Sequence, residues 1–236
     1  MNHFAFATRN EINEYRESEL CRNCCGNKPF GSRHWEYPWA IKNSGLLHRK
    51  KLKVLDVAPD FTFPYTSYIE SLDHEVVYID IEKRQWADKL FWGADAGNVS
   101  EKYRIMDVRR MSFDDNTFDC IMCISVLEHI VCPTQNPDNP ELHTLFNPLG
   151  ARPALLEMRR CLKPGGSLVF TIDIYGGPKW KPLFSQWDIF ADLIKTDFIP
   201  VNHSFNFDIE KTFQNQDTFL SDFYGPYITL GFSIVK

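Results

Sequence analysis

The stretch that decides the fold runs from Lys51 to Glu82 and reads KLKVLDVAPDFTFPYTSYIESLDHEVVYIDIE. Residues 52–57 and 75–80 are short apolar runs bounded by turn residues, which predicts two strands buried on both faces of a parallel sheet. The residues between them fit a crossover helix. A strand–helix–strand unit of about 30 residues starts a doubly wound α/β fold, whose ligands bind at the carboxyl ends of the strands. An aspartate stands at each of these two ends.

The composition predicts a soluble globular protein. The chain has 236 residues, of which 44% are hydrophobic and 24% charged, and this length predicts one domain with decorations. Its net charge of −5 argues against a nucleic-acid binder, and the basic residues at 48–53 are interpreted as a solvated edge. Because no secretory or transmembrane pattern is found, we expect a cytoplasmic protein that does not act at a membrane. Its seven cysteines are expected to be reduced thiols.

Further strands and helices are predicted along the chain. The strands are expected at 103–106, 119–124, 167–174, Phe198–Phe205 and Ile228–Val235. The helices are expected at 9–23, 65–72, 154–161 and 184–196.

Two later motifs carry a resemblance to a known family. Phe118, Asp119 and the run Val126–Ile130 give the pattern F-D-x-x-x-x-x-x-V-L-E-H-I, and residues 162–166 read L-K-P-G-G. With these motifs in this order after two strand–helix units, the chain from about 51 to 174 resembles the class I S-adenosylmethionine-dependent methyltransferases, in their small-molecule branch.

The resemblance implies an α/β fold with a Rossmann-like, doubly wound, mostly parallel seven-stranded sheet, an antiparallel last strand and helices on both faces. We divide the chain into an N-terminal helical extension or cap (1–50) and a methyltransferase domain (51–236) with a proline-rich insertion at 131–153. The extension would cover the cofactor or shape the acceptor pocket, unless its aromatic residues only bury core area. The insertion would form a wall of the acceptor site, or else a surface insertion or an oligomer contact.

Residues at the first two strand ends are candidates for binding the cofactor, S-adenosyl-L-methionine. Asp80 follows Asp56 by 24 residues, which is close to the spacing at which a carboxylate accepts hydrogen bonds from ribose hydroxyl groups. The neighbouring Ile81 would cover one face of the adenine. For each aspartate, a helix cap or an Asx turn is the alternative interpretation.

The next two strand ends complete the candidate cofactor site. Asp107 would accept a hydrogen bond from the adenine amino group, with Met106 and Val108 supplying backbone contacts. Ser125 and Val126 would line the methionine side. Three aspartates at three expected strand ends together favour the cofactor interpretation.

The first loop departs from the family pattern Asp-x-Gly-x-Gly-x-Gly. Its acid is Asp56, but the glycine positions hold Ala58, Asp60 and Thr62. Glycine lets a backbone approach a ligand and adopt positive φ, so Ala58 is a small loss. Asp60 would repel the cofactor's carboxylate unless it turns toward the ammonium group. The loop therefore binds the cofactor in an altered geometry, or the protein has lost the cofactor.

Candidate acceptor-side residues follow the later strands. His129 is the candidate catalytic base, since imidazole titrates near neutral pH and can take a proton from a hydroxyl or amine; a structural role is the alternative. His143, Asp173 and Tyr175 are candidates for contacting the acceptor. No metal site is predicted, because the cysteines at 21–25 form a single Cys-x-x-Cys without a second pair.

We therefore predict a methyltransferase that transfers a methyl group to an oxygen or nitrogen atom of a small molecule, such as a sugar or a secondary metabolite. The alternative is a catalytically inactive protein of the same fold that serves binding or assembly. A homodimer is compatible with either. A nicotinamide oxidoreductase is disfavoured, because no G-x-G-x-x-G follows the first strand.

Overall fold

The computed structural model describes residues 2–27, 31–81, 102–131, 151–175, 189–199, 209–218, 220–222 and 225–236. The strands in these ranges are β1 His3–Phe6, β2 Lys53–Val57, β3 Glu75–Asp80, β4 Tyr103–Ile105, β5 Phe118–Ile124, β6 Leu162–Tyr175, β7 Leu220–Asp222 and β8 Gly225–Val235. The helices are α1 Arg9–Arg16, α2 Glu19–Cys25, α3 Arg33–Ser44, α4 Tyr65–Ser71, α5 Leu127–Val131, α6 Ala151–Cys161, α7 Ile189–Lys195 and α8 Ile209–Gln214.

The strands form a single sheet in the order β1-β8-β6-β5-β2-β3-β4, and the short β7 pairs with β8 outside this path. Strands β2 to β6 pair in parallel, whereas β8 runs antiparallel to both of its neighbours, β6 and β1. Along the main path, six strands therefore share one direction and β8 opposes them. This arrangement confirms the predicted Rossmann-like fold with its antiparallel last strand.

The apolar run that decides the fold becomes the central strand. Val54 of β2 pairs with Val76 on one side and with Cys120 on the other. Both Val54 and Leu55 are fully buried. A strand with parallel neighbours on both edges needs apolar residues on both faces, which is why its sequence does not alternate.

The sheet has helices on both faces, and β8 shows this most directly. At Gly231 an added Cβ would lie 2.7 Å from the Trp39 ring of α3, so this helix approaches the strand too closely for any side chain. The next residue, Phe232, points to the other face and packs on Phe190 of α7, with ring centroids 5.8 Å apart. Successive residues of a strand point to opposite faces, so α3 and α7 cover opposite sides.

The edge beside β8 differs from the prediction. The prediction of a strand over Phe198–Phe205 is wrong at Phe198 and Ile199, because both backbone amides donate to the carbonyl of Leu193 and close the end of α7; residues 200–205 lie outside the described part. In the described residues it is β1 that pairs with β8 at this edge, from His3 to Phe6.

The N-terminal extension also supplies the first helices. The predicted helix over residues 9–23 is two helices, since the Ser18 hydroxyl accepts a hydrogen bond from the Cys21 amide at 3.0 Å and starts α2 anew. Thr8 caps α1 in the same way, since its side chain accepts a hydrogen bond from the Glu11 amide. The longer α3 follows and packs on β5, β6 and β8.

The L-K-P-G-G motif lies at the amino edge of the sheet. Register passes from Phe118 opposite Leu162 to Cys120 opposite Ser167, so residues 163–166 bulge out of β6. We call residues 162–166 the amino-edge turn. It lies opposite the strand ends at which ligands bind in this class of fold.

Candidate active site

A cavity of about 510 Å³ opens at the carboxyl edge of the sheet. It is formed by the ends of β2, β3 and β5, by the segment after β4, and by the first turns of α3. Its volume lies within the range of roughly 300–1,000 Å³ that is usual for small-molecule sites. This is the edge at which the sequence places the predicted site.

All ten residues predicted to contact the cofactor line this cavity, and so does His129. They come from four strand ends that are up to 70 residues apart in the sequence. That they are brought together is confirmed, whereas the contact assigned to each of them stays a prediction.

The end of β3 is buried and well ordered by hydrogen bonds. Asp80 is 4% exposed, and its Oδ1 accepts a hydrogen bond from the Ile81 amide at 2.7 Å. Its carbonyl accepts from the Met106 amide at 2.7 Å, which joins the ends of β3 and β4. Ile81 is 61% exposed at the cavity wall, so an apolar surface is available for a flat ring.

Asp107 is engaged by a neighbouring arginine. Arg109 donates from Nε and Nη2 to both carboxylate oxygens, and its backbone amide donates to Oδ1 at 2.9 Å. These hydrogen bonds hold the pKa of Asp107 below its ordinary value, and the bonds from the Arg109 side chain have the largest effect. The backbone bond is the Asx turn of the alternative interpretation, yet a carboxylate keeps further lone pairs for an amino group.

The loop after β2 keeps a glycine-like conformation without glycine. Ala58 has a φ of 51°, in the left-handed region, and its amide donates to the Ile79 carbonyl at 2.7 Å. Asp60 accepts hydrogen bonds at one oxygen, Oδ1, from the amide (3.0 Å) and the hydroxyl (2.7 Å) of Thr62. Asp60 is thereby held in an Asx turn of its own loop.

Asp56 and Tyr65 form a buried polar recess in the cavity wall. Asp56 is 1% exposed, and neither its Oδ2 nor the Tyr65 hydroxyl has a hydrogen-bond partner among the described residues. Burial raises the pKa of Asp56 well above its ordinary value. A buried carboxylate oxygen without a partner suits a cationic donor from a ligand, which fits the ammonium group of S-adenosylmethionine.

The most informative cavity residue that sequence reasoning missed is Arg33, at the start of α3. Its Nη1 donates to Glu36 Oε2 and to Ser125 Oγ, both at 2.7 Å. Glu36 is fully buried, and its other oxygen accepts from the hydroxyls of Ser125 and Thr171. This network anchors the N-terminal extension to the ends of β5 and β6.

The same helix adds an aromatic wall to the cavity. Tyr37 stacks on Tyr65 with ring centroids 4.3 Å apart, and the Arg33 guanidinium lies 5.6 Å from the Tyr37 ring. Trp35 and Trp39 instead stack on each other in the core. The aromatic segment therefore contributes one residue to the cavity wall and two to the core. The signal that was available is the spacing of Arg33, Glu36 and Tyr37 on one helix face.

The acceptor-side candidates are only partly gathered. His129 lies on α5 and lines the cavity. Asp173 is not among the lining residues, and its Oδ1 accepts from the Thr229 hydroxyl at 2.5 Å. His143 and the side chain of Tyr175 lie outside the described part of the chain.

Glu128, which precedes His129 on α5, supports the end of β6. It is 3% exposed and accepts a hydrogen bond from the Asp173 amide at 3.1 Å. Burial, and then the charge of Asp173, raise the pKa of Glu128 well above its ordinary value. This contact gives Glu128 a structural role at the end of β6.

The thiols of α2 are structural in the described residues. Cys21, Cys24 and Cys25 are buried, and Cys25 Sγ donates to the Arg33 carbonyl at 3.3 Å. Within the described ranges, no group of three or more metal-binding side chains comes together. The same part of the chain contains no helix with the length and hydrophobicity needed to span a membrane.

Comparison with known proteins agrees with this geometry. Residues 62–170 match the methyltransferase domain family, and no curated protein sequence matches the chain significantly. Among solved structures, a protein assigned to the methyltransferases from Bacillus halodurans is 14% identical, with a TM-score of 0.54 over 86% of this chain and 99% of that chain.

Two further structures share the fold. A SAM-dependent methyltransferase from Aquifex aeolicus is 14% identical, with a TM-score of 0.50 over 96% of this chain and 98% of that one. Phosphoethanolamine N-methyltransferase 2 of Haemonchus contortus, solved with phosphomonomethylethanolamine and S-adenosylhomocysteine, is also 14% identical, with a TM-score of 0.50. That match covers 84% of this chain but 52% of the other, so the chain spans about half the length of that enzyme. At such identity the likeness shows the fold.

Proposed function

We propose that the chain, whose residues 62–170 match the methyltransferase domain family, is a class I S-adenosylmethionine-dependent enzyme that transfers a methyl group to an oxygen or nitrogen atom of a small molecule. A sugar or a secondary metabolite is the class of acceptor that we favour. The observation that carries the proposal is the cavity at the carboxyl edge, where the strand-end aspartates lie together. One of them, Asp56, has a buried oxygen without a hydrogen-bond partner among the residues that the structure describes.

The bound cofactor would supply a methyl group on a positively charged sulfur, which is an activated leaving group. The chain must then bind, orient and exclude water, because the reaction is an in-line displacement. Asp80 would hold the ribose hydroxyls, Asp107 the adenine amino group, and Asp56 the ammonium group. Ser125 and Val126 would line the path toward the acceptor.

His129 is proposed as the base that removes the acceptor's proton. It lies just beyond β5, on the cavity wall next to Val126. A neutral imidazole in this place can accept a proton from a hydroxyl or an amine as the new bond forms. Asp173 and Tyr175 stay proposals for contacts with the acceptor, as does His143.

A thermal-shift series tests the cofactor assignment. S-adenosylhomocysteine should raise the melting temperature of the wild-type protein, since a ligand that binds only the folded state stabilises it. Asp80→Ala should lower the affinity for this ligand about 10-fold or more, because a charge-assisted hydrogen bond is lost. An unchanged affinity would refute the ribose contact. A wild-type protein that does not respond at all would favour the alternative, a binding or assembly protein of the same fold.

A further inference from the structure

The inference concerns the charged group that the N-terminal extension brings to the cavity, and it rests on the proposed function. We propose that Arg33 binds the carboxylate of the cofactor's methionine end, and that Glu36 positions it. Arg33 thereby takes over part of the task that the altered loop after β2 has lost. The proposal assigns to residues 1–50 a direct share in cofactor binding.

The hydrogen bonds of Arg33 leave one pair of its donors without a partner among the described residues. Both hydrogen bonds that Arg33 makes within the described residues, to Glu36 and to Ser125, leave from Nη1. A guanidinium has five N–H donors, so the pair formed by Nε and Nη2 remains for another partner. Two parallel donors in one plane match the geometry of a carboxylate. The side chain is 21% exposed and lines the cavity.

The second cavity arginine offers no such fork. Arg109 already uses this pair of donors on Asp107, since Nε donates to both carboxylate oxygens and Nη2 donates to Oδ2. The described cavity residues with carboxylates outnumber those with guanidinium groups, which suits a cofactor whose sulfur and ammonium are cationic. The cofactor's single anionic group, its carboxylate, then needs a guanidinium whose Nε and Nη2 are not already used by a carboxylate of the protein. Arg33 meets this condition, because its ion pair with Glu36 uses Nη1.

The neighbours of Arg33 select the methionine end of the cofactor. Ser125, which Arg33 contacts, closes β5 on the side predicted to hold the methionine. The wall from Arg33 through Tyr37 and Tyr65 leads to Asp56, with the cation over one ring and the two rings stacked. An anion site at Arg33 and a cation site at Asp56 on one wall match the two charges of an amino acid.

The altered loop makes such an anchor necessary. Asp60 places a carboxylate where the family pattern has its second glycine. Its Oδ1 accepts hydrogen bonds from the amide and the hydroxyl of Thr62, which forms an Asx turn. Asp60 also lies near enough to Arg33 for its charge to contribute to the raised pKa of the guanidinium. The guanidinium therefore offsets the repulsion that a second carboxylate would feel beside Asp60.

Glu36 is a positioning residue for this fork. Its side chain is fully buried, and its two oxygens receive donors from Arg33, Ser125 and Thr171. Such a fully satisfied carboxylate fixes the rotamer of the arginine before the ligand arrives, which lowers the entropic cost of binding.

The test compares ligands with and without the carboxylate. Isothermal titration should measure S-adenosylhomocysteine, its decarboxylated analogue and 5′-methylthioadenosine on wild type and on Arg33→Ala. We expect Arg33→Ala to weaken S-adenosylhomocysteine binding about 10- to 100-fold, and to change the affinity for the other two ligands less than about 2-fold. Arg33→Lys should recover only part of the loss, because an ammonium lacks the fork.

Two controls separate this role from a structural one. Arg109→Ala removes the other cavity guanidinium and should leave the affinity ratio of S-adenosylhomocysteine to 5′-methylthioadenosine unchanged. The double variant Arg33→Ala/Glu36→Gln avoids an unpaired buried carboxylate. It should show the same relative affinities for the three ligands as Arg33→Ala, and a cooperative melting transition.

The outcomes are distinguishable. A wild-type protein that binds neither S-adenosylhomocysteine nor 5′-methylthioadenosine would refute the proposed function itself. A wild type that binds both, together with an Arg33→Ala protein whose affinity ratio is unchanged, would overturn only the role of Arg33. An Arg33→Ala protein with a raised acceptor KM and unchanged cofactor binding would likewise overturn it, and would place the arginine at the acceptor.

Discussion

The two edges of the sheet differ in how completely the buried polar groups find hydrogen-bond partners within the described residues. At the amino edge, Gly165 has a φ of 75° where the turn requires it, and Asp119 accepts hydrogen bonds from the Lys53 amide and from Lys163. At the carboxyl edge, Ala58 adopts a φ of 51° without being glycine, and Asp56 is buried with one oxygen that has no partner in the described part of the chain. Non-glycine residues with positive φ lie at both edges, since Lys51, Asp73 and Asn116 precede β2, β3 and β5. The contrast therefore rests on the buried Asp56 oxygen, which we expect to serve a ligand. We therefore expect the amino edge to contribute mainly to stability and the carboxyl edge to ligand binding.

The largest effect on stability is expected in the amino-edge turn. An added Cβ at Gly166 would lie 2.9 Å from the Lys163 carbonyl and 3.0 Å from that of Asp119, so backbone atoms must move. We expect Gly166→Ala to lower the free energy of unfolding by about 2–3 kcal/mol, measured by urea denaturation. Gly165→Ala is the matched control, since its Cβ meets nothing within 4 Å and only its positive φ is strained. It should cost about 1 kcal/mol. Equal losses would contradict the packing argument.

A second prediction compares the two aspartates by pH. Because burial raises the pKa of Asp56 above the ordinary value of an unfolded carboxyl, the folded state retains a proton that the unfolded state releases. The contribution of Asp56 therefore becomes less favourable as pH rises above that ordinary value. Asp56→Asn should stabilise the ligand-free protein by about 1–2 kcal/mol at pH 8 and by less at pH 5, and it should weaken S-adenosylhomocysteine binding.

Asp119 should behave in the opposite sense. Burial alone would raise its pKa, but hydrogen bonds from Lys53 and Lys163 lower the pKa overall. Its contribution is present above the ordinary carboxyl pKa and is lost as pH falls through the lowered value. Asp119→Asn should therefore destabilise the protein at pH 7 and by less at pH 3, in chemical denaturation at both pH values. A common sign for both variants would remove the distinction between the edges.

The smallest effect is expected at the strained alanine. Ala58→Gly relieves a left-handed φ but gives the unfolded chain more conformational freedom, and these terms nearly cancel. The free energy of unfolding should change by less than about 1 kcal/mol in thermal or urea denaturation. Affinity for S-adenosylhomocysteine should be equal or higher, since the loop backbone becomes freer to approach the ligand. A marked loss of affinity would show that the Ala58 methyl group itself contributes to the site.

Sequence reasoning reached the parts of this fold that depend on local pattern. Strand β2 was found because burial on both faces demands an apolar run, and the position of Asp80 at the cavity was found because it ends such a strand. Strand β1 was missed, since four residues are too short for a pattern and their partners are at 230–233. Arg33 was missed because its contact with Ser125 joins residues 92 positions apart, and no local pattern encodes such a contact.

The loop after β2 shows a further limit. From the sequence, Ala58 was expected to be a small loss and Asp60 a source of repulsion. The backbone keeps its positive φ at Ala58 because the amide is fixed on Ile79 of the neighbouring strand, and Asp60 is turned into its own loop by Thr62. Both facts arise from hydrogen bonds that become visible only in the folded chain.

The most direct test of the central claim is isothermal titration of the wild-type protein with S-adenosylhomocysteine. The account predicts a dissociation constant of micromolar order, roughly −8 kcal/mol, with one site per chain. The absence of binding heat at about millimolar ligand, a concentration that would reveal affinities near −4 kcal/mol, would contradict the claim that the carboxyl-edge cavity holds this cofactor.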